Sequence, residues 1–282
     1  MDLDEGYIDG RAPQGLRGGH FRFEPSSVGG TANVLMAAVL ADGVTELENC
    51  ATEPEVTQLV EALVAAGARI EGVGTGTLRI EGVREIAPLR HRVIADRIEA
   101  GTFMAGVALA GGNVRLTEID PGHLEPVTAV LRDLGCEIEE EVAALRVIAS
   151  GRPRAVEVET RPWPGFPTDM QAQIMAVCSV AAGTSYMTET IYTDRFTHVA
   201  ELHRLGANIR VDGPRATIVG VDALCGAPVM ATDLRASAAL VLAGVAAEGT
   251  TVVNRVYHID RGYERIEERL VTLGAVIRRE NR

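Results

Sequence analysis

The side chains best suited to chemistry in this sequence are arginines that stand beside helix-capping acids. Ala231-Thr232-Asp233-Leu234-Arg235-Ala236-Ser237 opens an apolar stretch that runs to Ala247. Thr232 or Asp233 supplies an oxygen able to accept from the free N–H groups of a first helical turn. Arg235 then falls inside that turn, where the helix macrodipole disfavours a cation by about 0.3–1 kcal/mol. Two kinds of partner resolve the conflict. A neighbouring carboxylate would make an ordinary ion pair; a bound anion would make a binding site, because helix N-termini attract anions. The Asp-Arg pairing returns at Asp96-Arg97, Asp194-Arg195 and Asp260-Arg261, and Thr168-Asp169-Met170-Gln171 opens another apolar run. If all these residues open helices that lie side by side in one sense, Arg97, Arg195, Arg235 and Arg261 converge among Asp96, Asp169, Asp233 and Asp260. Cations gathered at helix starts in an acidic protein point to a phosphate-bearing ligand. The bland alternative is a set of surface ion pairs, each worth little.

The elements that must position these residues follow from a repeat. Gly67, Gly135, Gly206 and Gly274 lie 68, 71 and 68 residues apart, each after a helical pattern and before a strand pattern beginning at Arg69-Ile70, Glu137-Ile138, Asn208-Ile209 and Val276-Ile277. Glycine suits the C′ position of a helix. A second set, Gly43, Gly112, Gly183 and Gly249, precedes the first by 23 to 25 residues and leads into strands at Val44–Glu48, Asn113–Glu118, Thr184–Glu189 and Thr250–Asn254. One unit of about seventy residues therefore reads as buried helix, strand, amphipathic helix and strand pair. The first helix is apolar on every face and must be buried all round, whereas Tyr263–Leu273 alternates apolar and charged residues as a half-exposed helix does. Gly72–Gly76 joins two strands, so it is a hairpin turn and not a dinucleotide-binding loop. Strand patterns at Gly6–Gly10 and Gly19–Glu24 read as the pair that closes a preceding unit. Pro-bearing segments separate units, and the one at Ile86–Arg92 places a domain boundary near residue 93.

Composition narrows the field. With 282 residues, 46% of them hydrophobic, the chain can bury a core large enough for two domains. A net charge of −12 argues against a nucleic-acid backbone as partner. The apolar runs are too short for a bilayer span, and the acidic Met1–Glu5 start lacks the apolar region of a signal peptide. Together these predict a cytoplasmic protein that binds neither nucleic acid nor membrane. Cys50, Cys136, Cys178 and Cys225 show no paired spacing and read as reduced, mostly buried thiols. His198 and His203 are at the wrong helical spacing to share a metal, the other histidines are scattered, and no metal site is indicated. Trp163, between two prolines, reads as a packing residue beside a turn.

Three motifs, in order, carry a family resemblance: Phe166-Pro167-Thr168-Asp169-Met170-Gln171-Ala172-Gln173, then Ala231 through Ser237, then Tyr257-His258-Ile259-Asp260-Arg261-Gly262-Tyr263-Glu264-Arg265. Over essentially the whole chain the sequence resembles the UDP-N-acetylglucosamine 1-carboxyvinyltransferase family of enolpyruvyl transferases. The resemblance implies an α/β fold, an inside-out α/β barrel of two domains built from three such units each. Residues 1–93 would be a remnant of the first domain and 94–282 the second, so that four of six units are present and the chain is N-terminally truncated. The implied reaction moves the enolpyruvyl group of phosphoenolpyruvate onto the 3′-hydroxyl of UDP-N-acetylglucosamine, opening peptidoglycan synthesis, with no metal or organic cofactor.

Carried over by motif, the resemblance makes Asp169 the candidate base for the sugar hydroxyl and Arg261 a ligand of the phosphoenolpyruvate phosphate. It places Asp233 and Arg235 in the same pocket, Ile191 and Arg195 near the nucleotide sugar, and Ser26, Ser27, Val28 and Gly29 at a helix N-terminus that holds the UDP part. Full-length members carry a Lys-Asn pair, further phosphate-binding arginines and a mobile loop with a Cys or Asp acid in two units ahead of the residue matching Met1. The four cysteines of this chain match helices and strands instead. A second reading, of another class, is a catalytically inactive UDP-sugar-binding or scaffolding fragment. Apolar surface left where missing units would pack predicts self-association through the unfilled first domain.

Overall fold

The structure, a computed structural model, describes every residue except Met1, Glu5, Asn281 and Arg282; the acidic start read above as lacking a leader lies partly outside the described residues. Residues 1–94 and 95–282 form two compact units. In the first, β1 (Asp2–Asp4) and β2 (Tyr7–Asp9) pair antiparallel. There follow β3 (His20–Arg22), α1 (Val28–Val39), β4 (Val44–Glu48), α2 (Pro54–Ala65), β5 (Arg69–Glu71) and β6 (Thr77–Glu81). Their sheet has the order β3-β4-β6-β5, with β3 parallel to β4 and the rest antiparallel. The Gly19–Glu24 strand therefore opens the unit that follows it and does not close a preceding one. Which unit the strand joins is set by a parallel partner 26 residues further on, Glu46 beside His20, and not by its own pattern.

The second unit repeats this design. It runs α3 (Arg97–Ala110), β7 (Gly112–Thr117), α4 (Glu125–Leu134), β8 (Glu137–Glu141) and β9 (Ala144–Ala149); then β10 (Glu157–Glu159), α5 (Gln171–Cys178), β11 (Thr184–Thr188), α6 (Val199–Arg204), β12 (Asn208–Asp212) and β13 (Arg215–Val219); then β14 (Pro228–Met230), α7 (Leu234–Ala246), β15 (Val252–Asn254) and α8 (Ile266–Thr272). The sheets are β7-β9-β8, β10-β11-β13-β12 and β14-β15. β10 is parallel to β11 and β14 to β15, the arrangement of β3 and β4. Val276-Ile277, expected to start a strand, pairs with none of the described strands. Without a neighbour to complete its hydrogen-bond ladder a strand does not form.

The repeat period is written in helix ends. Gly67, Gly135, Gly206 and Gly274 all have φ between 89° and 106°. Each N–H bonds the carbonyl three residues back, and the next residue reaches five residues back, as in Gly206 N–H to His203 C=O at 2.9 Å and Ala207 N–H to Leu202 C=O at 3.0 Å. This is the Schellman closure, which needs a left-handed residue. Helix starts are equally local. Ser27 accepts from Gly30 N–H, Asp96 from the N–H groups of Ile98 and Glu99, and Asp233 from those of Arg235 and Ala236. Asp233, not Thr232, is the cap.

Packing separates the three long apolar helices of the second unit from α1. All eight residues of α5 are buried, as are Ala236–Ala243 of α7, and α3, α5 and α7 pack against one another in a single core. A Cβ on Gly101 of α3 would lie 2.9 Å from the sulfur of Met170, so glycine there lets the turn beside Asp169 approach α3. The expectation that every first helix is buried all round fails at α1, where Val28 and Met36 are exposed, as is Leu40 just after it. Within its unit α1 rests one face on the sheet and on α2, which leaves the other uncovered. Among the cysteines Cys225 is exposed and the other three are buried, all free. No helix of the described residues is long and apolar enough to cross a membrane.

Candidate active site

Asp169 sits in a 3-10 turn, Thr168–Met170, that leads into α5, and its carboxylate is held from both sides. Arg235, in the first turn of α7, places Nε at 3.1 Å and Nη2 at 3.0 Å from Oδ2. Arg195 places Nη2 at 2.8 Å from Oδ1. Burial by itself would push the Asp169 carboxyl up, but the guanidiniums of Arg235 and Arg195 outweigh it and hold the group below the usual aspartate range. The cation at the head of a buried helix is thus partnered by a carboxylate from the preceding repeat. Burial opposes the charge on Arg235 as well, and the proximity of Tyr263 and Asp169 more than restores it.

A run of hydroxyls supports Arg235 from behind. Thr102 of α3 donates to Ile98 C=O at 2.8 Å and accepts from Gln173 Nε2 at 3.0 Å. Its single proton being used, the Tyr263 hydroxyl donates to Thr102 at 2.9 Å and accepts from Arg235 Nη1 at 3.2 Å. Gln173 also donates to the carbonyl of Asp169 at 3.0 Å. One network therefore ties α3, α5 and α7 together at the carboxylate. Tyr263, expected to begin a half-exposed helix, lies ahead of α8 and is almost wholly buried.

An open cleft of about 570 Å³ passes over this network, lined by Asp169, Arg195, Asp233, Arg235, Arg261 and Leu234 among others. Two sequence expectations need correction here. Arg195 lies in a turn four residues ahead of α6, and Arg261 ends a 3-10 turn, Val256–Arg261, so neither opens a helix. Tertiary placement and not a macrodipole brings them to the cleft. Arg261 is exposed and, among the described residues, its side chain has no hydrogen bond or ion pair, whereas Arg195 and Arg235 are committed to Asp169. Arg97 lies over the ring of Trp163 at 5.5 Å and is not among the residues that line the cleft. The Ile191 N–H is taken by Glu189 at 2.8 Å.

His198 lies close by and is almost fully buried, with Nε2 lacking a partner among the described residues. Burial, aided by Arg195 and opposed by Asp233, lowers its pKa to about 4. Among the described residues no group of three or more His, Cys, Asp and Glu is placed to hold a metal. In the first unit, Ser26 and Ser27 are half-buried and Val28 and Gly29 exposed where α1 begins.

Residues 5–270 match the family model described as EPSP synthase (3-phosphoshikimate 1-carboxyvinyltransferase). The chain belongs to this carboxyvinyltransferase family. It is 58% identical to a UDP-N-acetylglucosamine 1-carboxyvinyltransferase of Anaeromyxobacter sp. (strain Fw109-5) and 54% identical to one of Myxococcus xanthus (strain DK1622), in each case over 99% of this chain and 66% of the relative. The chain thus spans about two thirds of the length of the curated relatives it matches. Among solved structures, the enolpyruvyl transferase NikO from Streptomyces tendae superposes with a TM-score of 0.80 at 31% identity, covering 89% of this chain and 60% of that one. An EPSP synthase from Acinetobacter baumannii gives 0.69 at 18% identity, over 93% and 63%, a likeness of fold alone. The carboxyvinyltransferase fold of this chain is accordingly the inside-out α/β fold of the family. Glu189 and Thr102 help support the cleft and stand in none of the sequence motifs, whereas Gln173 and Tyr263 stand inside quoted motifs that gave them no role.

Proposed function

We propose that this chain serves transfer of the enolpyruvyl group of phosphoenolpyruvate to the 3′-hydroxyl of UDP-N-acetylglucosamine, the first committed step of peptidoglycan synthesis. The observation that carries the reading is the Asp169 carboxylate gripped by Arg195 and Arg235 in a cleft that also presents the unpaired Arg261. The names of relatives at 52–58% identity over nearly all of this chain select the acceptor. In the transfer a bond forms between the sugar oxygen and the enol carbon, the bond from that carbon to the phosphate oxygen breaks, and Asp169 takes the hydroxyl proton. A carboxylate between two cations is a weak base. An anionic substrate that draws Arg235 toward itself raises the proton affinity of Asp169 at the moment the base is needed.

Arg261 and Arg235 would bind the phosphate, with Asp233 fixing the Arg235 turn as its cap. Arg195 would bind beside the nucleotide sugar, to which Ile191 can offer its carbonyl and side chain. Ser26, Ser27, Val28 and Gly29 would hold the UDP part. Ser27 takes the N–H of Gly30 at 3.1 Å, and the N–H groups of Val28 and Gly29 are the ones left for an anion. The correspondence to family domains, residues 1–93 with the first and 94–282 with the second, and to four of six units, is supported by the 66% span of the relatives. The exposed Met36 of α1 and Leu40 just after it support self-association, and a cytoplasmic location accords with the substrates.

Calorimetric titration with UDP-N-acetylglucosamine, followed by phosphate release from phosphoenolpyruvate, tests the reading. Binding lost in Asp169→Asn, with release abolished, supports it. Binding without release would favour the inactive UDP-sugar-binding fragment, and no binding at millimolar ligand would remove both readings.

A further inference from the structure

We propose that Glu189 is a positioning residue for Asp169, acting through the hydroxyl of Thr168 and the guanidinium of Arg195. Glu189 directly follows β11 and has no exposed surface. Its Oε1 accepts from Thr160 Oγ1 at 2.8 Å, from Ile191 N–H at 2.8 Å and from Tyr192 N–H at 3.0 Å. Its Oε2 accepts from Thr168 Oγ1 at 2.8 Å. Thr168 in turn accepts from Arg195 Nη1 at 2.8 Å, and the Nη2 of the same guanidinium meets Asp169 Oδ1 at 2.8 Å.

Counting protons gives this chain a direction. A threonine hydroxyl has one proton, and a guanidinium only donates. Thr168 gives its proton to Glu189, so the lone pair it turns toward Arg195 is held in place by the buried carboxylate. Both oxygens of Glu189 face donors, which an amide in the same position could not match. A glutamine would keep its oxygen toward the three donors at Oε1 and aim an N–H at Thr168, which then loses its acceptor. The same carboxylate also ties down the backbone of the turn from which Arg195 extends, through the N–H groups of Ile191 and Tyr192. A wholly buried carboxylate is expensive unless every lone pair finds a donor. Here three of the four donors, Thr168, Ile191 and Tyr192, belong to the two segments that carry Asp169 and Arg195, and the fourth, Thr160, directly follows β10. The inference rests on the reading of Asp169 as the base.

The test uses the full 282-residue chain without substrate, so that failure of the transfer reading and failure of this one are separable. Two signals are followed by NMR: the carboxyl carbon of Asp169, assigned by its loss in Asp169→Asn, and the guanidinium nitrogens of Arg195 near neutral pH. In Thr168→Val the Arg195 nitrogens should lose their restrained signals, and the proton affinity of Asp169 should rise about tenfold as one of its two cations is released. Thr168→Ser, which keeps the hydroxyl, should restore both signals to the wild-type state. Glu189→Gln should follow Thr168→Val; if it fails to fold, the Thr168 pair still decides. A folded Thr168→Val with either signal unchanged overturns the proposal, as does a Thr168→Ser that shifts as far as the valine variant.

Discussion

Tyr263→Phe is the change that most directly probes how the cleft is held. The phenol hydroxyl is buried, accepts from Arg235 Nη1 at 3.2 Å and donates to Thr102 at 2.9 Å. Phenylalanine keeps the ring, and with it the contact of the Arg235 guanidinium 5.7 Å from the ring centroid. The loss is therefore confined to two hydrogen bonds, one of them to a charged group. A bond to a charged group contributes about 1.5–3 kcal/mol, and 3.2 Å is at the long end for N–H to O. Arg235 also keeps both bonds to Asp169. The expected destabilisation is about 2 kcal/mol, equivalent to a fall in Tm of about 4–8 °C for a unit of this size. The single Trp163 lies in the second unit and reports urea unfolding there by its fluorescence. Thr102→Val, measured alone and in combination, should show non-additivity of about 1 kcal/mol, because the two hydroxyls share a bond. A Tyr263→Phe stability within about 0.5 kcal/mol of wild type, the range of an uninvolved surface change, or strict additivity of the pair, would refute the proposed hydroxyl run.

Other perturbations test separate parts of the structure. Because His198 has a folded pKa of about 4, the unfolded chain binds more protons between that value and the ordinary histidine range, and stability should fall as pH drops through the interval. His198→Phe should flatten that slope, removing at most about 3 kcal/mol of pH dependence; Asp169 does not interfere, since its depressed pKa keeps its own contribution intact until lower pH. Gly206→Ala meets no atom within 4 Å but forces alanine to φ 89°, so chemical denaturation should show a loss of about 1–2 kcal/mol from backbone strain alone. Ile174→Ala, in the middle of the buried α5, should cost about 2–5 kcal/mol by the same measurement. Arg261→Ala should leave the melting temperature within about 1 °C, since nothing among the described residues binds it, while weakening the binding of inorganic phosphate by calorimetry.

What could be read in the residues was what is decided by near neighbours along the chain. The glycine after each outer helix closes hydrogen bonds that reach back three and five residues, so its spacing disclosed the repeat. The caps at Ser27, Asp96 and Asp233 act over two or three residues. Of the three-residue leading strands, β10 and β14 went unread and the one at His20–Arg22 was given to the wrong unit, because each depends on a parallel partner more than twenty residues away, as in His20 with Glu46. Motif resemblance brought Asp169, Arg195, Arg235 and Arg261 onto one short roster, and the structure puts these four in one cleft.

Which partner each arginine takes was left to the tertiary structure. Arg235 meets Asp169 across 66 positions of sequence, and Tyr263 meets Thr102 across 161. The sequence alone established repeated, capped, glycine-ended helices and the residue types an anion site requires. Only the packing of α3, α5 and α7 against one another decided that the misplaced cation of α7 would rest on a carboxylate from another repeat. The hydrogen bonds that shape helix ends are local, whereas ion pairs in a core follow from which buried faces fit together. Glu189 shows the same division: an ordinary acid at the end of a strand pattern became the anchor of the Arg195 turn because folding closed four donors around it.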